Sequence, residues 1–172
     1  MNRKLEKDRE IIAAAGNDRM EENDDFLAFM KQKEDANTDV VIHALQAEIA
    51  DAIDCTACGA CCQSLVINVT LPDATDLAKH LNESLPAFKE KYLEESQQGH
   101  LVVDAIPCHF LSGKVCTVYN HRFTECREFP HLHKPGFIAR LPFTLMYYTM
   151  CPIIYNVVEA AKDSFGYHSK ES

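Results

Sequence analysis

Eight cysteines, none before position 55, are the residues of this chain whose type and spacing point to chemistry. Four stand within eight residues, Cys55-Thr56-Ala57-Cys58-Gly59-Ala60-Cys61-Cys62, and four more follow at Cys108, Cys116, Cys126 and Cys151. A thiolate is a soft, strong ligand, and two intervening residues let the backbone turn so that both sulfurs of a Cys-x-x-Cys pair face one ion or cluster. Gly59 suits such a turn, because a residue without a side chain takes positive φ at no steric cost. The adjacent pair Cys61-Cys62 is expected to diverge. Neighbouring side chains in extended chain point to opposite faces, which assigns these two sulfurs to different ligand sets, each mixing early with late cysteines.

The redox compartment decides how eight thiols are read. Residues 1–10 are charged throughout and lack the apolar run of a signal peptide, and no stretch has the length and apolarity of a membrane span, so the cytoplasm is expected. In a reducing compartment this count points to metal or redox chemistry rather than to four disulfides. With 172 residues, 47% hydrophobic and 25% charged, the chain is long enough for one ordinary soluble domain with its own core. Charge is unevenly spread: residues 1–54 carry fourteen Asp and Glu against seven Lys and Arg, whereas residues 105–151 carry two against five. Cations beside the later cysteines would lower thiol pKa values and offset the charge of a thiolate centre. The net charge of −9 argues against non-specific nucleic-acid binding, which depends on neutralising phosphates.

Three helical runs precede the cysteines: Arg3 to Ala15 with a stop at Gly16-Asn17, a short run around Phe26 to Met30, and Asp39 to Ile53, capped by Asn37 or Thr38. The third repeats Val41, Leu45, Ile49 and Ile53 every four residues and leads directly into Cys55. Beyond the cluster, Leu65 to Leu71 has the β-branched content of a strand ended by Pro72. Short helices are expected over Asp73–Leu81 and Leu85–Leu93, a second strand at Leu101-Val102-Val103, and a third through Val115, Thr117 and Tyr119 after a turn at Ser112-Gly113-Lys114. Prolines and Gly136 predict loop over residues 127–142, and Cys151-Pro152 opens a final amphipathic helix. The expected fold is α+β: a small metal-stabilised domain, mainly helices, with a few short strands and irregular cysteine-bearing loops. Residues 1–54 form a helical extension packed on a cysteine-cluster domain over residues 55–172.

The order Cys55-x-x-Cys58-x-x-Cys61-Cys62, Pro107-Cys108-His109-Phe110-Leu111, then Cys116-Thr117-Val118-Tyr119-x-x-Arg122-x-x-x-Cys126-Arg127-x-Phe129-Pro130 resembles a known family. It is similar to the bacterial CxxCxxCC proteins described as zinc- or iron-chelating domains, to which the flagellin lysine N-methylases are related. The likeness covers roughly residues 55–151; where the family has proline after the arginine, this chain has Phe123. It implies metal binding through clustered cysteines, and the relation to lysine N-methylases raises a metal-dependent enzyme as the alternative.

The residues leave iron or zinc open. Cys55, Cys58 and Cys61 have the run of a bacterial ferredoxin, whose remote ligand precedes proline as Cys151 does, but Cys62 breaks that register. Four-thiolate zinc sites use paired Cys-x-x-Cys units, which only one end of this chain supplies. An iron–sulfur cluster is therefore ranked just ahead of zinc, with all eight cysteines as candidate ligands. A thioredoxin-like pair would need a strand before it and a helix after it, the reverse of the expected order. His109, His121, His131 and His133 lie near cysteines in sequence and are expected to surround the site, the last two being best placed to substitute for a thiolate. Arg122 and Arg127 are expected to balance thiolate charge. All six glycines are isolated, so neither a dinucleotide-binding loop nor a P-loop is present.

Overall fold

Helices dominate the computed structural model of the chain, which describes residues 4–33 and 37–169. In order they are α1 (Arg9–Asp18), α2 (Met20–Lys31), α3 (Thr38–Asp51), α4 (Cys55–Cys58), α5 (Ala60–Ser64), α6 (Leu71–His80), α7 (Leu85–Tyr92), α8 (Thr124–Glu128), α9 (Phe137–Leu145) and α10 (Pro152–Ser164). Five short strands interleave with them: β1 (Asn68–Val69), β2 (Leu93–Glu95), β3 (Leu101–Val103), β4 (Leu111–Ser112) and β5 (Val115–Cys116). The class is the expected mainly helical α+β. Contacts divide the chain into two units, Met1–Asp54 with Pro130–Ser172, and Cys55–Phe129.

Among its described residues, the regular elements of the first unit are all helices. Asp8 starts α1 by accepting from the backbone N–H groups of Glu10 and Ile11 at 2.8 and 3.3 Å. Arg3, where the sequence predicts the first helix to begin, lies outside the described residues. Gly16 does not end α1. It is buried, and a Cβ there would clash with Thr149 Cγ2, so glycine serves a close approach and not a stop. Asn37 occupies the cap position of α3, but its side chain makes no capping bond. The apolar faces meet around α10, whose residues Pro152 to Val158 are all buried, with α1 and α3 packed against it and α2 and α3 against α9. Asn156 joins the start of the chain to α10: its amide donates to Glu6 O and Pro152 O at 2.7 Å each and accepts from Glu6 N at 3.0 Å.

Helix α9 corrects the expected loop over residues 127–142. Asp39 accepts from the Gly136 and Phe137 N–H groups at 2.7 and 2.9 Å, supplying from 97 residues away the cap that the local sequence lacks. Pro142 then sits inside the helix. A second feature that no periodicity announces is a charge network on α10. Lys162, only 4% exposed, reaches Glu22 and Glu159 at 2.8 Å each, and Glu159 also accepts from Tyr148 at 2.7 Å and from Arg19. Burying a lysine is tolerated here because two carboxylates match its charge.

The second unit is built on a three-stranded antiparallel sheet of order β1-β3-β2, with Val102 opposite both Asn68 and Glu94. The strand expected over 65–71 shrinks to two residues because Thr70 begins a helix. Its hydroxyl accepts from Asp73 N at 3.2 Å and donates to Asp73 Oδ2 at 2.8 Å, placing Pro72 in the first turn of α6. Strands β4 and β5 form a hairpin about Gly113 at φ 63°. Ile67, Val69, Leu77, Phe88, Val103, Phe110 and Phe123 fill the core, and Cys108, Cys116 and Cys126 pack half-buried at its margin.

Candidate metal centre

The cysteine-rich stretch folds into two single turns, α4 and α5, hinged at Gly59. Its φ of 62° lies in the left-handed region, and a Cβ on it would meet the Lys114 carbonyl oxygen at 2.7 Å. The chain therefore reverses between Cys58 and Cys61 while lying against the β4–β5 hairpin. Helix α4 packs on β5, which carries Cys116. On the other side the Cys108 N–H donates to Cys62 O at 2.8 Å, just after the cis peptide Ile106-Pro107. Cys126 comes from the middle of α8, which packs on β1.

These elements bring Cys61, Cys62, Cys108, Cys116 and Cys126 within electrostatic reach of one another. The expected divergence of Cys61 and Cys62 is overturned: their sulfurs stand 3.9 Å apart and share a hydrogen bond. The alternation of extended chain does not apply, since both residues lie in a helical turn where successive side chains are separated by about 100° and not 180°. The shared bond, the backbone N–H groups around it and the Arg122 charge together bring Cys61 down to about 7 against the effect of burial. Cys62 is pushed up, first by the same bond, then by burial and by Cys61, Cys108 and Cys116. Burial raises Cys108, with Cys116 and Cys61 adding to it, and burial with repulsion from Cys61, Cys108 and Cys116 raises Cys126 to about 12. Each thiolate formed makes the next harder to form. A divalent cation removes that conflict by supplying positive charge where several thiolates would otherwise repel.

The donor set fits a thiophilic metal. Bonds of about 2.3 Å at tetrahedral angles put two thiolates on one ion about 3.8 Å apart, close to the Cys61–Cys62 separation. Among the described residues, no three His, Cys, Asp or Glu side chains already converge on one ion position, so the thiols are gathered without being closed into a shell. Cys55 is exposed and Cys58 half-buried on α4. Cys151 belongs to the helical unit, where it stands buried before Pro152, with its N–H on Tyr147 O at 2.9 Å.

The remaining candidates separate. Arg122 lies 3.8 Å over the Tyr119 ring and donates to Tyr119 O at 2.7 Å, held where its charge acts on Cys61. Arg127 instead binds Thr124 Oγ1 at 2.7 Å, Arg122 O and the Asp73 carboxylate. His109 pairs with Asp104, and His121 stacks on His80 with centroids 3.8 Å apart. His131 and His133 belong to the helical unit. Asp73 is the residue that spacing arguments missed. The pattern Thr70-x-x-Asp73 before an apolar run was the available signal.

A model of the CxxCxxCC family, described as a "putative zinc- or iron-chelating domain", matches residues 54–152. No curated protein and no solved structure matches the chain.

Proposed function

The chain belongs to the CxxCxxCC family, and from that premise we propose that Cys61, Cys62, Cys108, Cys116 and Cys126 supply the thiolates that hold a zinc or iron ion in residues 55–129. The observation that carries the reading is the pair of adjacent sulfurs at 3.9 Å, a separation that suits two ligands on one metal atom. Five candidates exceed the four ligands of a closed tetrahedral site, which leaves one thiol beside a filled shell or an exchangeable position. Cys55 and Cys58, on the turn that packs against β5, are the reserve donors. The metal supplies charge neutralisation and cross-linking. The chain supplies Arg122 as a fixed cation beside Cys61 and Gly59 as the hinge between the cysteine turns. A reducing compartment such as the cytoplasm keeps these thiols available. No helix among the described residues is long and apolar enough to cross a membrane.

Metal analysis with an ultraviolet-visible spectrum, on protein purified without oxygen and without a metal-affinity column, tests the reading. One zinc or one iron per chain, lost in Cys61→Ser and Cys62→Ser, is the expected result. Acid-labile sulfide with broad absorption near roughly 400 nm would replace the single ion with an iron–sulfur cluster. Metal retained in full by both variants would remove the adjacent pair from the ligand set.

A further inference from the structure

Cys126 is delivered to the cluster by α8, five residues that cannot hold a helical conformation alone, because the first turn costs more than its bonds return. What fixes α8 comes from another element. Asp73, in the first turn of α6 and with its side chain only 9% exposed, accepts from Thr124 N at 3.2 Å and Thr124 Oγ1 at 2.8 Å. The same Oδ1 receives Arg127 Nη2 at 3.4 Å, while Oδ2 receives Thr70 Oγ1 at 2.8 Å. Three donors converge on Oδ1 and one reaches Oδ2, so the carboxylate is engaged through both oxygens by neighbouring protein groups. Arg127 closes the arrangement by donating to Thr124 Oγ1 at 2.7 Å. Residues two before and one after Cys126 are thus tied to a single carboxylate 53 positions away in sequence.

We propose that Asp73 is the positioning residue of the thiol cluster, clamping the first turn of α8 and so fixing where the Cys126 sulfur stands among the other cysteines. The proposal rests on reading that cluster as a metal site. Hydrogen bonds behind a metal ligand typically govern affinity by about 10- to 100-fold when removed. Asp73→Ala is expected to weaken zinc binding by that factor in competition with a chelator, and to alter the absorption of cobalt(II) loaded in place of zinc, which reports the thiolates around the ion. Asp73→Asn keeps an acceptor for Thr124 but gives up the charge that faces Arg127, and is expected to lose a smaller, measurable part of the affinity, so it carries the test if the alanine variant does not fold. Ser84→Ala removes the α7 cap in the same unit without touching Asp73, and serves as the control for lost stability alone.

Unchanged affinity in both Asp73 variants overturns the proposal, as does an equal loss in Ser84→Ala. Failure of the metal reading shows itself separately, as wild-type protein that takes up neither zinc nor iron. Positioning is then read from metal-free protein, where alkylation of Cys126 followed by mass spectrometry is expected to be faster in Asp73→Ala than in wild type. Equal rates there sink the proposal as well.

Discussion

Gly59 is constrained twice, by its left-handed φ and by a Lys114 carbonyl oxygen that leaves no room for a Cβ. A left-handed non-glycine residue costs about 1–2 kcal/mol, and here the obstacle is backbone, which cannot swing aside as a flexible side chain would. Gly59→Ala is therefore expected to lower the stability of metal-loaded protein by about 2 kcal/mol or more, seen as a lower urea midpoint with an unchanged slope. A midpoint equal to wild type would mean that the reversal between Cys58 and Cys61 is not held as described. At this scale the sequence is most informative about kinds of atoms: the sulfurs, the glycine hinge and Arg122 are all legible from residue type and spacing. Whether Cys61 and Cys62 share a site is not, because that turns on local backbone. An extended chain would separate sulfurs that a helical turn brings to 3.9 Å.

Among the elements, α9 shows why local reading fails and what replaces it. Its sequence is punctuated by Pro135, Gly136 and Pro142, and its N-cap residue, Gly136, has no side chain to cap it; the cap arrives from Asp39 on α3. Removing such a cap costs about 1–2 kcal/mol, so Asp39→Ala is expected to destabilise the helical unit by that amount in urea. The same group gives a pH signature. Burial alone would raise the Asp39 pKa, but the Phe137 and Gly136 N–H donors, with His43 and Arg140, outweigh it and hold the carboxylate below its ordinary value. Its contribution is therefore fully present above the unfolded value near about 4 and is lost as pH falls through the lower folded value. Asp39→Asn keeps an acceptor but does not titrate, so the stability gap between wild type and this variant should close as pH is lowered through that window. A gap that stays constant would assign the effect to shape alone. The same logic explains the trimmed strand before α6, where Thr70 and Asp73 outcompete β-branched side chains for the backbone. By contrast, α3, α6, α7 and α10 were legible because their apolar periods coincide with the faces they bury.

Over the whole molecule, the two units hold together by different means. In the helical unit Ile12, Phe26, Met30, Ile42, Leu132, Phe137 and Leu141 are all fully buried, a core sufficient in kind for helices that pack on one another. The Cys55–Phe129 unit has a core against α6 and α7, but it presents its cysteines on loops, on strands of two or three residues and on single-turn helices, elements too short to persist on local bonds. Its cysteines stand at positions 55 to 126, so on the proposed reading ligands drawn from them would close long loops, and the metal's binding free energy would become folding free energy for that unit. A metal present at about 100 times its dissociation constant adds about 2.7 kcal/mol to the state that binds it. Stripping the metal with a chelator is therefore expected to speed amide hydrogen exchange across residues 55–129 while leaving α1, α3 and α10 protected as before. Refilling with zinc or iron should restore the slow exchange in proportion to occupancy. Exchange that rises equally in both units would show that the metal stabilises the chain as one cooperative block, and exchange that rises in neither would deny it a role in folding. The distinction matters because a centre that carries the fold of its own unit can exchange its metal only by opening that unit, whereas one set on an independently stable scaffold can exchange its metal while the protein stays folded.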